Sequence, residues 1–465
     1  MFSAVRQQFQ PRLARGISQV LADPTAWNQP HALITRLPNG LRVATKESFG
    51  DVSSVGVFVD AGVRDETAAT AGATGLIQRL ALTGTANRPK AKLELEVELM
   101  GAELAVEAGR EKTAYTMSLQ AADVEKGVDI LADLVASPGL SGFAKEKASA
   151  LRGLEEAEAP TRAVLDDRLH TCAFRDCSLG FSALGPFEGM ESMTEEQLRS
   201  YVNANYTADK MVLAATGPVK HDELVKFAAA SFGGFRANAP RTGDAKPYFC
   251  GAELIYRNDE MGPTAYVTVG WEGVPHRSPD AVTFMVMQHI IGSYKRGAGL
   301  VPGTISGNRT ANAVANKMGV GCAEEFEAFN LSYKDTGMFG FYAACDEVAV
   351  EHCIGELMFG INLLSFSVTD EEVARGKREL KAALFGGSGT AAAACADLGA
   401  QVLAYGRHIP PAEMVLRIDA VDAEEVKRVA WKYLNDNEVA VTALGPLHGM
   451  PQYLDLRRMT MMHRY

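Results

Sequence analysis

The nine histidines of this 465-residue chain lie too far apart in sequence to form a helical zinc site. The two nearest, His276 and His289, are thirteen positions apart. A helix that binds zinc through two imidazoles needs them about one turn apart, because only then do both nitrogens reach the same ion. The sequence therefore excludes a zinc-binding helix of the H-x-x-E-H type.

Closely spaced cysteines and an excess of positive charge are also missing. The seven cysteines include no C-x-x-C pair, so the chain has neither a haem-attachment motif nor a cysteine set for an iron–sulfur cluster. We expect them to be free thiols in a reducing compartment. The net charge of −11 argues against nucleic acid and against anionic lipid as general partners.

No hydrophobic run is long enough to predict a membrane-spanning helix. The most apolar stretch, residues 357–368, has about half of the roughly 20 residues that a span needs. It also contains Asn362. Residues 391–400 are rich in alanine and glycine and too weakly hydrophobic to span.

The N-terminal segment is basic and amphipathic. Residues 1–22 contain Arg6, Arg12 and Arg15 and no acidic residue. Apolar residues recur in this segment at steps of three and four, namely Phe2, Val5, Phe9, Leu13, Ile17 and Val20. This pattern is typical of a mitochondrial targeting segment, although Pro11 interrupts the helix. A solvated or partner-bound arm is the alternative interpretation.

The two halves of the chain resemble each other. Residues 211–215 (MVLAA) lead into a Gly-Pro pair, and residues 439–443 (VAVTA) do the same 228 positions later. Residues 113–119 and 338–344 form a second matching pair of predicted strands. An offset that drifts by a few residues indicates a duplicated domain with loop insertions. We therefore predict an N-terminal arm or targeting segment and two homologous domains with a linker, over residues 1–31, 32–235, 236–249 and 250–465.

Local patterns in the first half predict both strands and helices. Residues 40–48 and 52–61 are predicted strands on either side of a Gly/Asp turn. Residues 73–82 are a predicted short helix, and apolar spacing predicts another over residues 124–134. Residues 93–99 (LELEVEL) alternate as a strand would, but leucine and glutamate are strong helix formers, so we predict a helix.

Residues 71–85 (AGATGLIQRLALTGT) resemble the active-site helix of the pitrilysin-type, inverted-zincin peptidases. The family pattern is G-x-x-H-x-x-E-H-x-x-x-x-G-T, and the resemblance is to the branch that contains the mitochondrial processing peptidases. It extends over roughly residues 32–465. Further matching segments are residues 37–47, 100–119, 335–346, 372–384, 405–426 and 445–459. The resemblance implies an α+β fold of two homologous domains, each a mostly antiparallel β-sheet packed against helices.

The same resemblance implies which positions carry the family's chemistry. The first zinc histidine falls on Gly75, the general-base glutamate on Gln78 and the second histidine on Arg79. The distal zinc glutamate falls on Gly153. Glycine has no side chain to bind a metal, glutamine cannot accept a proton from water, and arginine is a permanent cation. The sequence thus assigns no catalytic, metal-binding or cofactor-binding residue.

Two alternatives remain for this region. An alignment slip of two would place Glu155 at the distal position, and Glu156 and Glu158 lie close by. A lone carboxylate without imidazoles is a poor zinc site. Our hypothesis is that Arg79 replaces the metal and pairs with a carboxylate of residues 155–158 or with Glu107.

Family members that keep the fold without the zinc ligands act as scaffolds. The resemblance implies a non-catalytic core subunit of mitochondrial respiratory complex III on the matrix side, peripheral to the inner membrane. The expected partners are a second core protein of the same fold, cytochrome b and the other subunits of the dimeric complex. No cofactor and no nucleic acid is expected.

Two further functions stay open. One is a non-catalytic subunit of a soluble processing peptidase that contributes to presequence binding. Residues 292–303 (GSYKRGAGLVPG) are, however, shorter than the glycine-rich loop of that subunit. The other is a free-standing peptide-binding module. The basic, apolar tail at residues 454–465 is either a docking point for neighbouring subunits or lipid headgroups, or an ordinary surface helix.

Overall fold

The computed structural model describes most of both predicted domains. It covers residues 31–140, 142–156, 162–237, 246–297, 308–319, 321–387 and 389–461, without the side chains of residues 155, 156 and 319. The predicted N-terminal arm, except for His31, lies outside this part of the chain. So do residues 238–245 of the predicted linker over residues 236–249.

Twelve strands in the described ranges form two six-stranded sheets. The first sheet has the order β1-β2-β6-β3-β5-β4, with strands β1 Leu33–Arg36, β2 Arg42–Glu47, β3 Val52–Val59, β4 Glu103–Ala108, β5 Thr113–Gln120 and β6 Met211–Gly217. The second has the order β7-β12-β8-β11-β10-β9, with strands β7 Ala252–Arg257, β8 Thr264–Glu272, β9 Ser293–Lys295, β10 Glu325–Ser332, β11 Gly337–Asp346 and β12 Val439–Gly445. Only β2–β6 and β7–β12 are parallel pairs. The predicted mostly antiparallel sheets are confirmed.

Helices surround both sheets. In the first half they are α1 Ala73–Ala81, α2 Lys90–Leu99, α3 Val124–Ala136, α4 Phe143–Glu156, α5 Arg162–Ala173, α6 Phe187–Ser192, α7 Glu195–Asn205 and α8 His221–Phe232. In the second half they are α9 Ala281–Ile291, α10 Arg309–Asn316, α11 Val350–Phe366, α12 Asp370–Gly387, α13 Ala391–Tyr405, α14 Pro411–Asp419, α15 Ala423–Tyr433 and α16 Tyr453–Met459. The prediction of a helix over residues 93–99 is confirmed by α2.

The repeated segments form the inner strands β6 and β12. Every residue of both strands is buried, since each strand has a neighbouring strand on both sides and helices cover the sheet. This explains why both read as continuous apolar runs rather than as alternating patterns. The duplication predicted from the sequence is therefore a duplication of the sheet and its helices.

One helix from each half packs on the sheet of the other half. Helix α5 lies on β7, β8 and β12, and helix α13 lies on β2, β3, β5 and β6. The contact of α13 is close at Gly399, where an added Cβ atom would stand 2.2 Å from the Phe58 ring. We call α5 and α13 the exchanged helices.

Three consecutive residues of the turn between β10 and β11 form hydrogen bonds or ion pairs with side chains of the first half. The contacts are Tyr333 Oη to His170 Nε2 at 2.6 Å, Lys334 Nζ to Asp60 at 2.6 Å, and Asp335 to Arg64 Nη2 at 2.5 Å. Glu111, in the turn between β4 and β5, pairs with Arg64 at 2.6 Å and accepts from the Lys334 backbone N–H. The turns of the two sheets thus meet in a polar, partly buried contact.

The longest apolar helix is longer than the sequence suggested. The helical segment Glu347–Phe366, which includes α11, has 20 residues and a mean hydropathy of 1.2. By length and composition it would be able to cross a membrane, which corrects the estimate from residues 357–368. However, 61% of it is buried inside the molecule, where it packs against α15 and β11. These contacts are those of a core helix of the second domain.

Candidate functional site

The helix that corresponds to the family's zinc helix, α1, is anchored by a buried carboxylate. Glu66 accepts hydrogen bonds of 2.8 Å from the backbone N–H groups of Gly72 and Thr74 at the start of α1. A negative group is stabilising at this end of a helix. Burial raises the pKa of Glu66 despite these bonds. Sequence analysis missed Glu66 because it lies seven positions before Ala73, the first residue of the helix, outside any capping spacing.

Gln78, at the position of the family's general base, binds the backbone of the edge strand β4. Its Nε2 donates to the Val106 carbonyl at 3.0 Å. At the turn between β4 and β5, the Gly109 N–H donates to the Lys112 carbonyl. Hydrogen-bonded and non-hydrogen-bonded pairs alternate from there along the two strands, and Val106, opposite Tyr115, is a non-hydrogen-bonded position. The Val106 backbone groups therefore point away from β5. The Gln78 amide therefore donates a hydrogen bond to a carbonyl that β5 cannot pair, at the free edge of the sheet.

Arg79 and Gly153 are neighbours across the α1–α4 contact. The Arg79 Nη2 lies 3.5 Å from the place where a Cβ atom on Gly153 would stand. The structure thus brings together the two positions that the family resemblance had paired. The Arg79 side chain is exposed, and within the described side chains it forms no ion pair.

The predicted ion pair between Arg79 and Glu107 is therefore wrong. Side chains alternate along a strand, so with Val106 buried on one face of β4, Glu107 points to the opposite face. The alternative partners at residues 155–158 have side chains outside the described part of the chain, and this half of the hypothesis stays untested.

The residues at the site do not fit a divalent ion. Gly75 is half-buried, the Ala183 carbonyl lies 3.9 Å from its Cβ direction, and glycine offers no ligand atom. The Arg79 guanidinium lies over Gly153, where the distal ligand would be. In the described ranges, no group of three or more His, Cys, Asp or Glu side chains could hold a metal ion.

The second domain repeats part of this arrangement. Gln288, near the end of α9, donates to the Ala328 carbonyl of β10 at 3.1 Å, as Gln78 does to β4. The Ala328 N–H donates to the Gly292 carbonyl, and β9 pairs with the three preceding residues of β10.

A polar cavity of about 420 Å³ lies elsewhere in the first domain. Arg88 and Asp133, which form an ion pair at 2.7 Å, are among the residues that line it.

The two arginines in the described part of the C-terminal segment are paired within the protein. Arg457 binds Asp436 at 2.8 Å and Glu438 at 3.3 Å, and Arg458 binds Asp455 at 3.3 Å. The exposed large apolar side chains of its described part are those of Leu454 and Met461. The segment thus begins as a surface helix, and the rest of the predicted tail, residues 462–465, lies beyond the description.

A duplicated α+β fold, in which the helix corresponding to the family's zinc helix lacks metal ligands, defines a protein of the metallopeptidase-like class. Two family profiles match in succession, "Insulinase (Peptidase family M16)" over residues 42–187 and "Peptidase M16 inactive domain" over residues 192–380. The chain belongs to the M16 peptidase family.

Among the relatives are both peptidase subunits and respiratory-chain subunits. The chain is 35% identical to the probable mitochondrial-processing peptidase subunit beta of Arabidopsis thaliana, over 94% of this chain and 82% of the relative. It is 35% identical to subunit beta of the Mus musculus peptidase, over 92% and 87%. It is 36% identical to the mitochondrial cytochrome b-c1 complex subunit 1 of Homo sapiens, over 92% and 89%.

A solved structure confirms the fold. A chain of complex III2 from Candida albicans, bound to Inz-5, superimposes with a TM-score of 0.82. The match covers 92% of this chain and 100% of that one at 23% sequence identity. At this identity the likeness concerns the fold alone.

Proposed function

We propose that this protein is a non-catalytic core subunit of mitochondrial respiratory complex III. It pairs with a second core protein of the same fold on the matrix side of the inner membrane. The pair supports cytochrome b and the other subunits of the dimeric complex. The chain itself contributes architecture, and electron transfer takes place in its partners.

One observation carries this proposal: an intact peptidase fold has lost all the groups that its chemistry requires. Gly75 and Gly153 offer no ligand, Gln78 is engaged with the Val106 carbonyl, and Arg79 places a cation beside Gly153. A general base must accept a proton, and a zinc ion needs about three protein ligands. The identity to cytochrome b-c1 complex subunit 1 supports a structural role for such a fold.

Native electrophoresis after mild detergent extraction tests the assembly. We expect the protein to comigrate with cytochrome b, in a complex that survives removal of soluble matrix proteins. A soluble heterodimer without cytochrome b would contradict the proposal and favour a processing-peptidase role.

Zinc analysis tests the loss of chemistry separately. We expect no stoichiometric zinc and no cleavage of a leader peptide by the assembled wild-type protein. A variant with G75H, Q78E, R79H and G153E restores the family's four groups and is the matched control for zinc binding. Zinc bound by the wild-type protein, or cleavage that a chelator abolishes, would contradict a non-catalytic role.

A second function, binding of presequences without cleavage, is favoured by the open edge of β4. Leu104, Val106 and Ala108 point their backbone groups away from β5, and in the described residues only the Val106 carbonyl of this edge has a side-chain partner. An extended peptide adds to an edge strand through such groups. The exposed Glu103 and Glu107 would favour a basic peptide.

Fluorescence anisotropy with a labelled basic leader peptide tests this second function in the assembled protein. We expect binding that weakens with salt and that E103Q/E107Q reduces severalfold. The matched control E195Q/E196Q, on the surface of α7, removes the same charge elsewhere. Equal effects of the two pairs would contradict a specific site at β4.

A further inference from the structure

The turn between β2 and β3 carries an exposed apolar surface that the proposed function does not use. The Phe49 side chain in this turn is fully exposed, and Val52, the first residue of β3, is 56% exposed. We call these two residues the turn patch. In the turn between β7 and β8, at the same place in the second sheet, Met261 is instead half-buried against Leu165. An exposed aromatic side chain gains free energy when a partner removes it from water.

Negative charge surrounds the turn patch. Strand β6 ends beside the end of β2, and β5 ends beside the start of β3, so helices α8 and α3 also begin at this end of the sheet. Four exposed carboxylates here form no ion pair within the described part of the chain, namely Glu47, Asp51, Glu125 and Asp222. Of the basic residues at this end, Lys46 is half-buried, and Lys126 and Lys220 pair with Asp123 and Glu223. A basic partner would therefore find unpaired acidic groups around an apolar centre.

The chain enters the first sheet at the same end. Strand β1 is antiparallel to β2, with Leu33 opposite Thr45, so the chain before β1 runs toward the end of β2 and the turn patch. Residues 23–30 lie between this point and the basic amphipathic segment, residues 1–22, and can span at most roughly 28 Å. The segment is thus close enough to reach the turn patch of its own domain.

The composition of the segment matches that of the surface. Its apolar residues recur at helical spacing, and its arginines, Arg6, Arg12 and Arg15, are not balanced by any acidic residue. Arginine binds carboxylates through paired hydrogen bonds. A segment tethered by a short linker is present at an effective concentration in the millimolar range, so a weak contact is sufficient to hold it. Among possible occupants of the turn patch, this segment has the matching charge and is already attached beside it.

We propose that residues 1–22 dock on the turn patch of their own domain in the full-length chain. The apolar stripe of the segment covers Phe49 and Val52, and its arginines pair with the surrounding carboxylates. A docked segment is shielded from other proteins until it is displaced, so this contact regulates access to the segment. The proposal is independent of the role in complex III.

Photo-cross-linking in the full-length chain tests this proposal. p-Benzoylphenylalanine replaces Phe49 in one variant and Phe359 in the control, which is an exposed residue of α11 in the second domain. Mass spectrometry identifies the attached peptides, and mixtures of isotope-labelled and unlabelled chains separate products within one chain from products between chains. We expect position 49 to cross-link to residues 1–22 of the same chain, and position 359 not to do so.

Two charge variants test the role of the carboxylates. E47Q/D51N and high salt should each reduce the cross-link from position 49 severalfold. The matched control D259N/E260Q removes the same charge in the turn between β7 and β8 and should leave the cross-link unchanged. A cross-link from position 49 that reaches only another copy or another protein would overturn the proposal. So would the absence of any cross-link to residues 1–22, or equal effects of the two charge pairs.

Discussion

In the first domain the extra strand β1 lies beyond β2, whereas in the second domain the extra strand β9 lies beyond β10 at the opposite edge. The five remaining strands correspond, from β2-β6-β3-β5-β4 to β7-β12-β8-β11-β10. Each sheet has two edge strands, β1 and β4 in the first domain and β7 and β9 in the second. The added strand covers β2 in the first domain and β10 in the second, so β4 and β7 are the strands of the common framework that stay at an edge.

A second difference concerns the source of positive charge at the corresponding helices α1 and α9. In the first domain Arg79 lies in the last turn of α1 itself. In the second domain Arg375 of α12 donates to the Ile290 carbonyl at the end of α9 at 2.7 Å, and pairs with Glu379 at 2.8 Å. Cations stabilise helix C-termini. The corresponding helix ends thus each have a cation nearby, which comes from α1 itself in the first domain and from α12 in the second.

The largest expected effect comes from the contact between the domains. R64L removes the cation shared by Glu111 and Asp335, and we expect a loss of about 3 kcal/mol of unfolding free energy, because buried carboxylates are left without their partner. Chemical denaturation measures it. R199L, which removes an exposed pair with Glu195, should cost less than about 0.5 kcal/mol. Similar losses would show that the contact does not couple the domains.

The next effect concerns the exchanged helix α13. G399A introduces a methyl group 2.2 Å from the Phe58 ring, and we expect a loss of about 1–3 kcal/mol from overpacking. The control G355A lies in α11 with nothing within 4 Å of its Cβ direction. There alanine should stabilise by about 0.5–1 kcal/mol, because it is the better helix former. Thermal denaturation compares the two variants. A stability change of the same sign in both would contradict the close contact at Gly399.

A pH dependence follows from His170 of the other exchanged helix, α5. Its Nδ1–H donates to the Asp166 carbonyl, its Nε2 accepts from Tyr333, and burial lowers its pKa to about 3. Below pH 6.5 the imidazole of His170 binds a proton in the unfolded chain but stays neutral in the native protein. Stability should therefore fall by up to about 1.4 kcal/mol per pH unit between pH 6.5 and 3.

Denaturation at pH 7 and pH 5 measures this dependence. In H170Q the contribution of His170 to the slope of unfolding free energy against pH should disappear. In H448Q, which changes an exposed histidine, this contribution should remain. A wild-type slope retained in H170Q would contradict the assignment.

The smallest expected effect separates the two glutamine contacts. Q78A and Q288A each remove one hydrogen bond to an edge strand, and each should cost about 0.5–1.5 kcal/mol. Hydrogen exchange should increase more in β4 than in β10, because β9 still covers the second edge. Equal increases would show that β9 adds no protection.

Much of the framework was predictable from local patterns. The repeated segments predicted β6 and β12, and helix propensity rather than alternation correctly predicted α2. The helix α1 was predicted within one residue of its observed end. These strands and helices depend on side chains that are close in sequence. Their patterns can therefore be recognised in one sequence alone.

The contacts between distant segments were not predictable. Helix α13 is rich in alanine on all sides, and nothing in its pattern indicates that it lies on the first sheet. The Arg64–Asp335 pair joins residues 271 positions apart. The positions of Gly75, Gln78, Arg79 and Gly153 came from the resemblance to a family, whereas the Gln78 bond to Val106 required the register of β4.

The exchanged helix α13 also affects how the chain is made. Thr216 at the end of β6 donates to the Ala391 carbonyl at 2.6 Å, across 175 residues of sequence. During synthesis one face of the first sheet, which includes Phe58 and Val212, has no cover until that late segment has been made. The N-terminal half therefore exposes an apolar surface for as long as the rest of the polypeptide is missing.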